Sequence, residues 1–331
     1  MEKNLFLSRR YLLAGLLAGA SLAFNGCAHF RSNYSGVHDN MPCEISERYQ
    51  HRFQEVIENR TDLSCFEKYS SYNISLEFRD ETKTNKIDVI FYQSNKAGKK
   101  PGVIILPVNG GSYVAENYFG SYFASRGADV AIIKREKGKR LKEIISSEKY
   151  DQLDDYFMQN IKRAGYTLDW LASRDDVDPN KIALFGLSRG GIDGVCFMAF
   201  EDRISAGFVG LAAGNLPYLM SIIPEKEFVD LRNMIKCNRN ISNNGIEDLL
   251  EENIHIDPSN LARYVPSNKI LMVIALTDRI VPSKEQIILR KELGYPETIF
   301  IPFGHYYSII SAPFLKSTVW NFFERKFDEK R

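Results

Sequence analysis

"KIALFGLSRGGIDG", residues 181–194, carries a short apolar run into Gly186-Leu187-Ser188-Arg189-Gly190 and resumes apolar content beyond it. The run follows the turn-forming "DVDPN" at 176–180 and is continuous rather than alternating, which suits a strand buried on both faces. A helix is expected from Arg189. Ser188 would then sit at a tight strand-to-helix turn, either as an ordinary turn serine or as a nucleophile held up by the backbone. The five residues from Gly186 to Gly190 do not separate these readings, and the rest of the chain has to.

Upstream, "SSYNISLEF" (70–78) and "KIDVIFYQ" (86–93) have the β-branched and aromatic content of strands and are joined by the turn-like "RDETKTN", so an antiparallel hairpin is expected. "PGVIILPV" (101–108) and "ADVAIIK" (128–134) are further buried strands, with a helix near 115–126 between them and another over 150–174. Downstream come the strand "AGFVGLAA" (206–213), an irregular section over 215–268 and the strand "KILMVIAL" (269–276). A helix over 284–293, the strand "ETIFIP" (297–302) and an amphipathic helix from Ile309 to Phe327 complete the chain. Strands alternating with helices of this length call for a mostly parallel sheet with helices on both faces, since parallel neighbours need long crossovers. The leading hairpin makes the sheet mixed, and the fold class is α/β with a small insertion before the penultimate strand.

In such a sheet, groups that leave the carboxyl ends of different strands meet along one edge. Ser188 leaves one strand end, Asp278 a second in "ALTDRIVP" (275–282) and His305 a third in "IPFGHYYS" (301–308), each expected within two or three residues of its strand. The three types belong together chemically. A serine hydroxyl is a weak nucleophile that needs a base within hydrogen-bond reach, and imidazole titrates near neutral pH. A carboxylate then fixes the imidazole tautomer and stabilises the imidazolium. His255 and Asp257 compete for these roles but precede the resumed strand rather than follow a strand end.

Gly186-Leu187-Ser188-Arg189-Gly190 resembles the nucleophile elbow of the α/β-hydrolase fold, and the order Ser, Asp, His is that of the fold's triad. The resemblance is to the dienelactone-hydrolase and acetyl-esterase-like branch and covers most of residues 85–327. It is sharpest in "DWLASRDDVDPNKIALFGLSRGG" (169–191) and in "ALTDRIVP" with "FGHYYS". It implies catalytic roles for Ser188, Asp278 and His305. It also implies an oxyanion hole made by the backbone N–H of Arg189 and one from the loop after the first parallel strand, where Asn109-Gly110-Gly111 replaces a His-Gly pair; Gly110 and Gly111 are the candidates. Glycine at 186 and 190 is read as steric, because the elbow brings strand and helix too close for a Cβ, whereas Gly191 has no assigned role beyond close packing. In the 215–268 section, Phe228, Leu231 and Ile235 share one helical face, which fits a small lid over an acyl pocket or packing against the sheet.

The first residues differ in kind. Ser8-Arg9-Arg10 precedes an apolar stretch from Tyr11 to Phe24 that is about 14 residues long, short of the roughly 20 that span a bilayer. Residues 1–26 are read as a signal peptide resembling a twin-arginine export signal, ending in a lipobox-like sequence with Cys27 as the lipidated residue. An N-terminal extension over 27–65 is expected to hold a helix in "ISERYQHRFQEVIENRTDL" (45–63), flanked by Cys43 and Cys65, which an oxidising compartment would allow to pair. The hydrolase domain is taken as 66–331.

With 43 basic and 42 acidic residues the chain carries a net charge of +1, so nucleic acid is not an expected partner. Its densest basic stretch, "IIKREKGKRLKE" (132–143), reads as a solvated loop and helix start. The five histidines are scattered and no cysteines have zinc spacing, so neither metal nor cofactor is expected. The whole reading is an exported, cell-envelope serine hydrolase acting on a small ester or acyl substrate through an acyl-enzyme. A thioesterase, acyltransferase or peptidase would use the same residues, and a silent, membrane-tethered binding protein would keep the fold without turnover.

Overall fold

The computed structural model describes residues 28–30, 38–51, 55–79, 84–136 and 139–329. Residues 1–27, with the expected signal peptide and Cys27, lie outside these residues. Ten strands form one sheet in the order β1-β10-β9-β8-β7-β5-β6-β4-β3-β2: β1 (Ala28–Phe30), β2 (Glu55–Cys65), β3 (Tyr69–Arg79), β4 (Thr84–Ser94), β5 (Lys100–Leu106), β6 (Asp129–Ile133), β7 (Val177–Leu187), β8 (Ile204–Gly210), β9 (Ile270–Ala275) and β10 (Glu297–Ile301). The central six from β6 to β10 are parallel, while β4, β3 and β2 at one edge and β1 at the other are antiparallel to their neighbours.

The continuous apolar runs form the buried centre for the expected reason. Along β5 and β7, alternate residues serve opposite faces: Ile104, Leu106, Ile182 and Leu184 enter one core, and Val103, Ile105, Ala183 and Phe185 the other. The first face is covered by α4 (Leu153–Ala172) and α5 (Arg189–Phe200), the second by α2 (Val114–Ser125) and α11 (Ala312–Asp328). On that second face Phe119, Phe123, Phe185, Phe208, Trp320 and Phe323 make a run of ring contacts with centroids 4.5–6.1 Å apart, the range in which aromatic pairs add to plain area burial.

One expectation about the N-terminal extension is corrected. The helix α1 (Cys43–Tyr49) ends at Tyr49, and residues 55–65 form the edge strand β2 rather than continuing as helix. Pairing with β3 from Glu55 to Cys65 outweighs a sequence pattern that, with nearly every side chain of β2 exposed, gives no buried face to read. Cys43 and Cys65, whose pairing the sequence left open, are both free thiols. The strand β1 was likewise not foreseen; three exposed residues offer no periodicity.

The irregular section contains α6 (Leu216–Ile222), α7 (Lys226–Arg239), α8 (Asn243–Glu251) and α9 (Pro258–Leu261), preceded elsewhere in the chain by α3 (Lys139–Ser146) and followed by α10 (Ser283–Glu292). Asp257 fastens it. Its carboxylate accepts from the backbone N–H groups of Asn215, Leu216 and Ser259, capping α9 while tying the start of α6 to it. Leu231 and Ile235 are buried in the main core, so this part of the α7 stripe is packing, whereas Phe228 reaches the functional edge described next.

Candidate active site

Ser188 follows β7 directly and precedes the first residue of α5. Its backbone holds φ 50°, ψ −120°, a conformation that side chains rarely adopt. Three hydrogen bonds hold it there: Ser188 N–H donates to the Gly210 carbonyl at 2.7 Å, and the Ser188 carbonyl accepts from the N–H groups of Gly191 and Ile192 at 2.9 and 3.0 Å. The glycines leave no alternative. A Cβ on Gly186 would overlap the Gly190 carbonyl, one on Gly190 would overlap the Leu106 carbonyl of β5, and one on Gly191 would come within 2.9 Å of the Ala212 Cβ. Gly191 therefore seats α5 against the carboxyl end of β8.

The carboxyl edge brings the three predicted side chains together. Asp278 lies three residues past β9 and His305 four past β10, one more than expected for the latter. Asp278 Oδ2 accepts from His305 Nδ1 at 2.7 Å, and His305 Nε2 lies 3.0 Å from Ser188 Oγ. An ionised carboxylate only accepts, so Nδ1 carries the proton and Nε2 is left to accept from the serine hydroxyl. The Asp278 side chain is fully buried and that of His305 is 10% exposed. His255 is exposed beside Asp154, His51 is paired with Asp169 and His29 with Glu297, so none of these competes at this edge.

Asp278 is held on every side. Its Oδ1 accepts from the N–H groups of Ile280 and Val281 at 2.9 and 3.1 Å, and its Oδ2 accepts from Gln286 Nε2 at 3.0 Å as well as from His305. Gln286, buried in α10, also donates to the Val281 carbonyl and accepts from Ala275 N–H, so one amide ties the acid to its strand and to its loop. Nothing in the sequence marked it out, since a glutamine at helical spacing reads as surface.

The loop after β5 is fixed by two residues that were also not singled out. Glu116 in α2, buried, accepts from Val108 N–H at 2.7 Å, and Arg135 donates through Nη2 to the Pro107 carbonyl at 2.8 Å. Asn109 shares a wall with Ser188 in two cavities. Gly110 and Gly111, both at positive φ, line instead a polar cleft of about 750 Å³ together with Arg135, Arg163 and Glu227, a cleft that Asn109 and Arg189 also border. Arg189 begins α5, where N–H groups have no intrahelical acceptor. Its side chain is committed to Asp193 at 2.8 Å and lies over the Phe157 ring, in place of solvent.

The cavity that contains Ser188 is apolar and about 200 Å³. Phe119, Leu187, Leu211, Val273, Ile301 and Leu315 are among its apolar lining residues. A smaller one of about 40 Å³ lies on the other side of Ser188 and Asn109, closed by Leu219, Met220 and Phe228 from the insertion. No group of three or more His, Cys, Asp or Glu side chains suited to a metal ion occurs among the described residues.

No protein-family model and no curated protein matches the chain in sequence. Solved structures do match in shape. An acetyl xylan esterase from Paenibacillus sp. R4 superposes with a TM-score of 0.63 at 16% identity, over 86% of this chain and 99% of that one. The acetyl xylan esterase 1 of Thermoanaerobacterium sp. JW/SL YS485 gives 0.63 at 13%, over 87% and 99%. The chain has the α/β-hydrolase fold. An acylaminoacyl peptidase from Pyrococcus horikoshii matches at 0.53 and 13% identity, over 85% of this chain but 43% of that one. At such identities the likeness is one of fold, and function has to be argued from the site.

Proposed function

We propose that this chain is a serine hydrolase that cleaves carboxylic esters through an acyl-enzyme. The observation that carries the reading is the series Asp278–His305–Ser188, joined at 2.7 and 3.0 Å with the serine raised on a strained elbow. The ester-cleaving names of two fold neighbours agree with it. Ser188 Oγ attacks the ester carbonyl while His305 Nε2 takes the hydroxyl proton, and Asp278 stabilises the imidazolium through Nδ1–H. The tetrahedral intermediate collapses with loss of the alcohol, which takes that proton from His305. Water then attacks the acyl-enzyme with His305 as base, and the acid leaves as Ser188 regains its proton.

The oxyanion is assigned to the N–H of Arg189 and to that of Asn109 rather than of Gly110 or Gly111, because, of the two loop residues that share a cavity wall with Ser188, Val108 has its N–H committed to Glu116 and Asn109 is the other. The apolar cavity takes the acyl group. The test is a panel of nitrophenyl esters and thioesters, with a fluorophosphonate probe mapped by mass spectrometry. Labelling of the peptide containing Ser188 together with ester turnover is expected, and labelling elsewhere or no turnover of any ester removes the assignment.

Gln286 acts as a positioning residue for Asp278. Gln286→Leu leaves Ala275 N–H without its acceptor and Asp278 Oδ2 with one donor fewer. A buried hydrogen bond lost in this way costs about 1–3 kcal/mol, so kcat is expected to fall roughly tenfold to a hundredfold with KM little changed. A KM effect alone would place Gln286 outside the acid's support.

We also propose export with lipidation at Cys27, supported by the paired arginines, the apolar stretch and the small residue Gly26 before the cysteine. Cys27→Ser is expected to abolish metabolic palmitate labelling and to release the protein from the membrane fraction. Unchanged labelling would refute the site.

A further inference from the structure

The turn that follows His305 is built inside out. Residues Tyr306–Ser311 form a 3₁₀ segment, in which side chains three apart share a face. Ser308 and Ser311 are the buried pair, each 6% exposed, while Tyr306, Tyr307, Ile309 and Ile310 stand 65, 71, 54 and 38% exposed. Single exposed apolar residues are ordinary, but four within five positions, with the hydroxyls turned inward, are not what water selects. Tyr306 and Ile309 also line the apolar cavity that holds Ser188, so the patch adjoins that cavity, with Tyr307 and Ile310 outside its wall. Exposed Leu276, just past β9, lies on the same carboxyl edge.

The path of the chain indicates what covers this face. β1 pairs antiparallel with β10, with Ala28 opposite Phe300, the penultimate residue of β10. The amino end of β1 is therefore at the carboxyl edge of the sheet, the edge that carries His305 and Asp278. From β7 to β1 is four strand spacings, roughly 19 Å. Whatever precedes Ala28 joins the fold on the side where the cavity opens, and the residue that precedes it is Cys27, the proposed site of lipidation.

We propose that the carboxyl edge is a membrane-docking face, with the 306–310 turn seated in the outer part of a lipid leaflet and the cavity receiving an apolar ester from that leaflet. The inference deepens the hydrolase reading and rests on it and on anchoring at Cys27. Tyr307 suits such a position, since its ring is apolar and its hydroxyl stays at the headgroup level, while the Tyr306 hydroxyl donates to Glu225 at 2.7 Å. Arg279, exposed on the same edge, faces the region of lipid phosphates. An anchor at Cys27 tethers the chain without fixing which face meets the leaflet, and a second contact of this kind fixes that orientation.

The test uses the full chain reconstituted on phosphatidylethanolamine/phosphatidylglycerol vesicles that contain acyl-brominated lipid. Trp170 and Trp320 are buried and give a common background that wild type subtracts. Tyr307→Trp is expected to shift its emission to the blue and to be quenched at least about twofold more than Asp202→Trp, which sits exposed before β8 at the opposite edge. Equal quenching of the two overturns the proposal. A blue shift that appears without vesicles and grows with protein concentration also overturns it, in favour of a second copy of the chain on this face.

In a second arm, the double variant Tyr307→Ser, Ile310→Ser is expected to lose about tenfold in turnover of dioctanoylglycerol dissolved in the vesicles while keeping its turnover of 4-nitrophenyl acetate in water. Loss on both substrates, or on neither, counts against docking. If wild type cleaves neither ester the hydrolase reading has failed, and the tryptophan contrast still decides the docking by itself.

Discussion

Ser188→Ala is expected to lower kcat by about 10⁴- to 10⁶-fold and to abolish fluorophosphonate labelling while leaving the thermal unfolding midpoint in place. The size of the loss follows from the two tasks that the hydroxyl has: it is the attacking group, and it is the donor to His305 Nε2. The residual rate would come from the oxyanion donors and substrate positioning, which the substitution leaves in place. Stability should hardly change, because alanine keeps the Cβ and therefore the strained φ 50°, ψ −120°. Ser188→Gly separates the two effects. It is equally inactive, but it relieves strain of about 1–3 kcal/mol against an unfolded-state entropy cost of about 0.5–1 kcal/mol, so it should be more stable than Ser188→Ala by about 1 kcal/mol in urea titrations. Equal stability of the two variants would mean that the elbow stores no strain, and activity in either would remove Ser188 as nucleophile.

Features that the sequence made legible share one physical property: a residue pattern that only one environment explains. The runs at 103–106, 182–186 and 270–275 are apolar at every position, which requires burial on both faces, and the latter two are the strands from which Ser188 and Asp278 are hung, His305 following β10. Once their order is known, the carboxyl edge places Ser188, Asp278 and His305 side by side without any knowledge of side-chain contacts. Features determined by partners distant in sequence were hidden. β2 is a strand because β3 is there to pair with it, and its polar, exposed sequence fits a helix equally well. Gln286 and Glu116 matter through single hydrogen bonds to an acid and to a loop N–H, which no periodicity encodes. The loop after β5 shows the same limit at finer scale. Its glycines advertise an unusual backbone, yet that backbone turns Gly110 and Gly111 towards the polar cleft and leaves Asn109 beside the serine.

The second large effect concerns the fold around the elbow. Gly190→Ala is expected to leave no folded protein at all, whereas Gly194→Ala, four residues on in the same helix, should be close to neutral. A Cβ at 190 has to occupy the space of the Leu106 carbonyl oxygen, with the Pro107 carbonyl 3.3 Å away. Leu106 is the last residue of β5, which is hydrogen-bonded to β6 and β7 and buried on both faces, so the obstacle is backbone that cannot yield. Moving α5 outward instead would break the Ser188 contacts with Gly191 and Ile192 and lift the helix from β8. Either response exceeds the 4–5 kcal/mol that marks an exceptional single substitution, a large share of the roughly 5–15 kcal/mol that a domain has in total. At 194 the nearest atom to an added Cβ is the flexible Leu184 Cδ2 at 3.3 Å, and alanine is better than glycine within a helix by up to about 1 kcal/mol. Soluble expression and circular dichroism of the pair read the difference directly. If Gly190→Ala folds with native stability, the close approach of α5 to β5 is not what requires glycine there, and the steric account of the elbow falls with it.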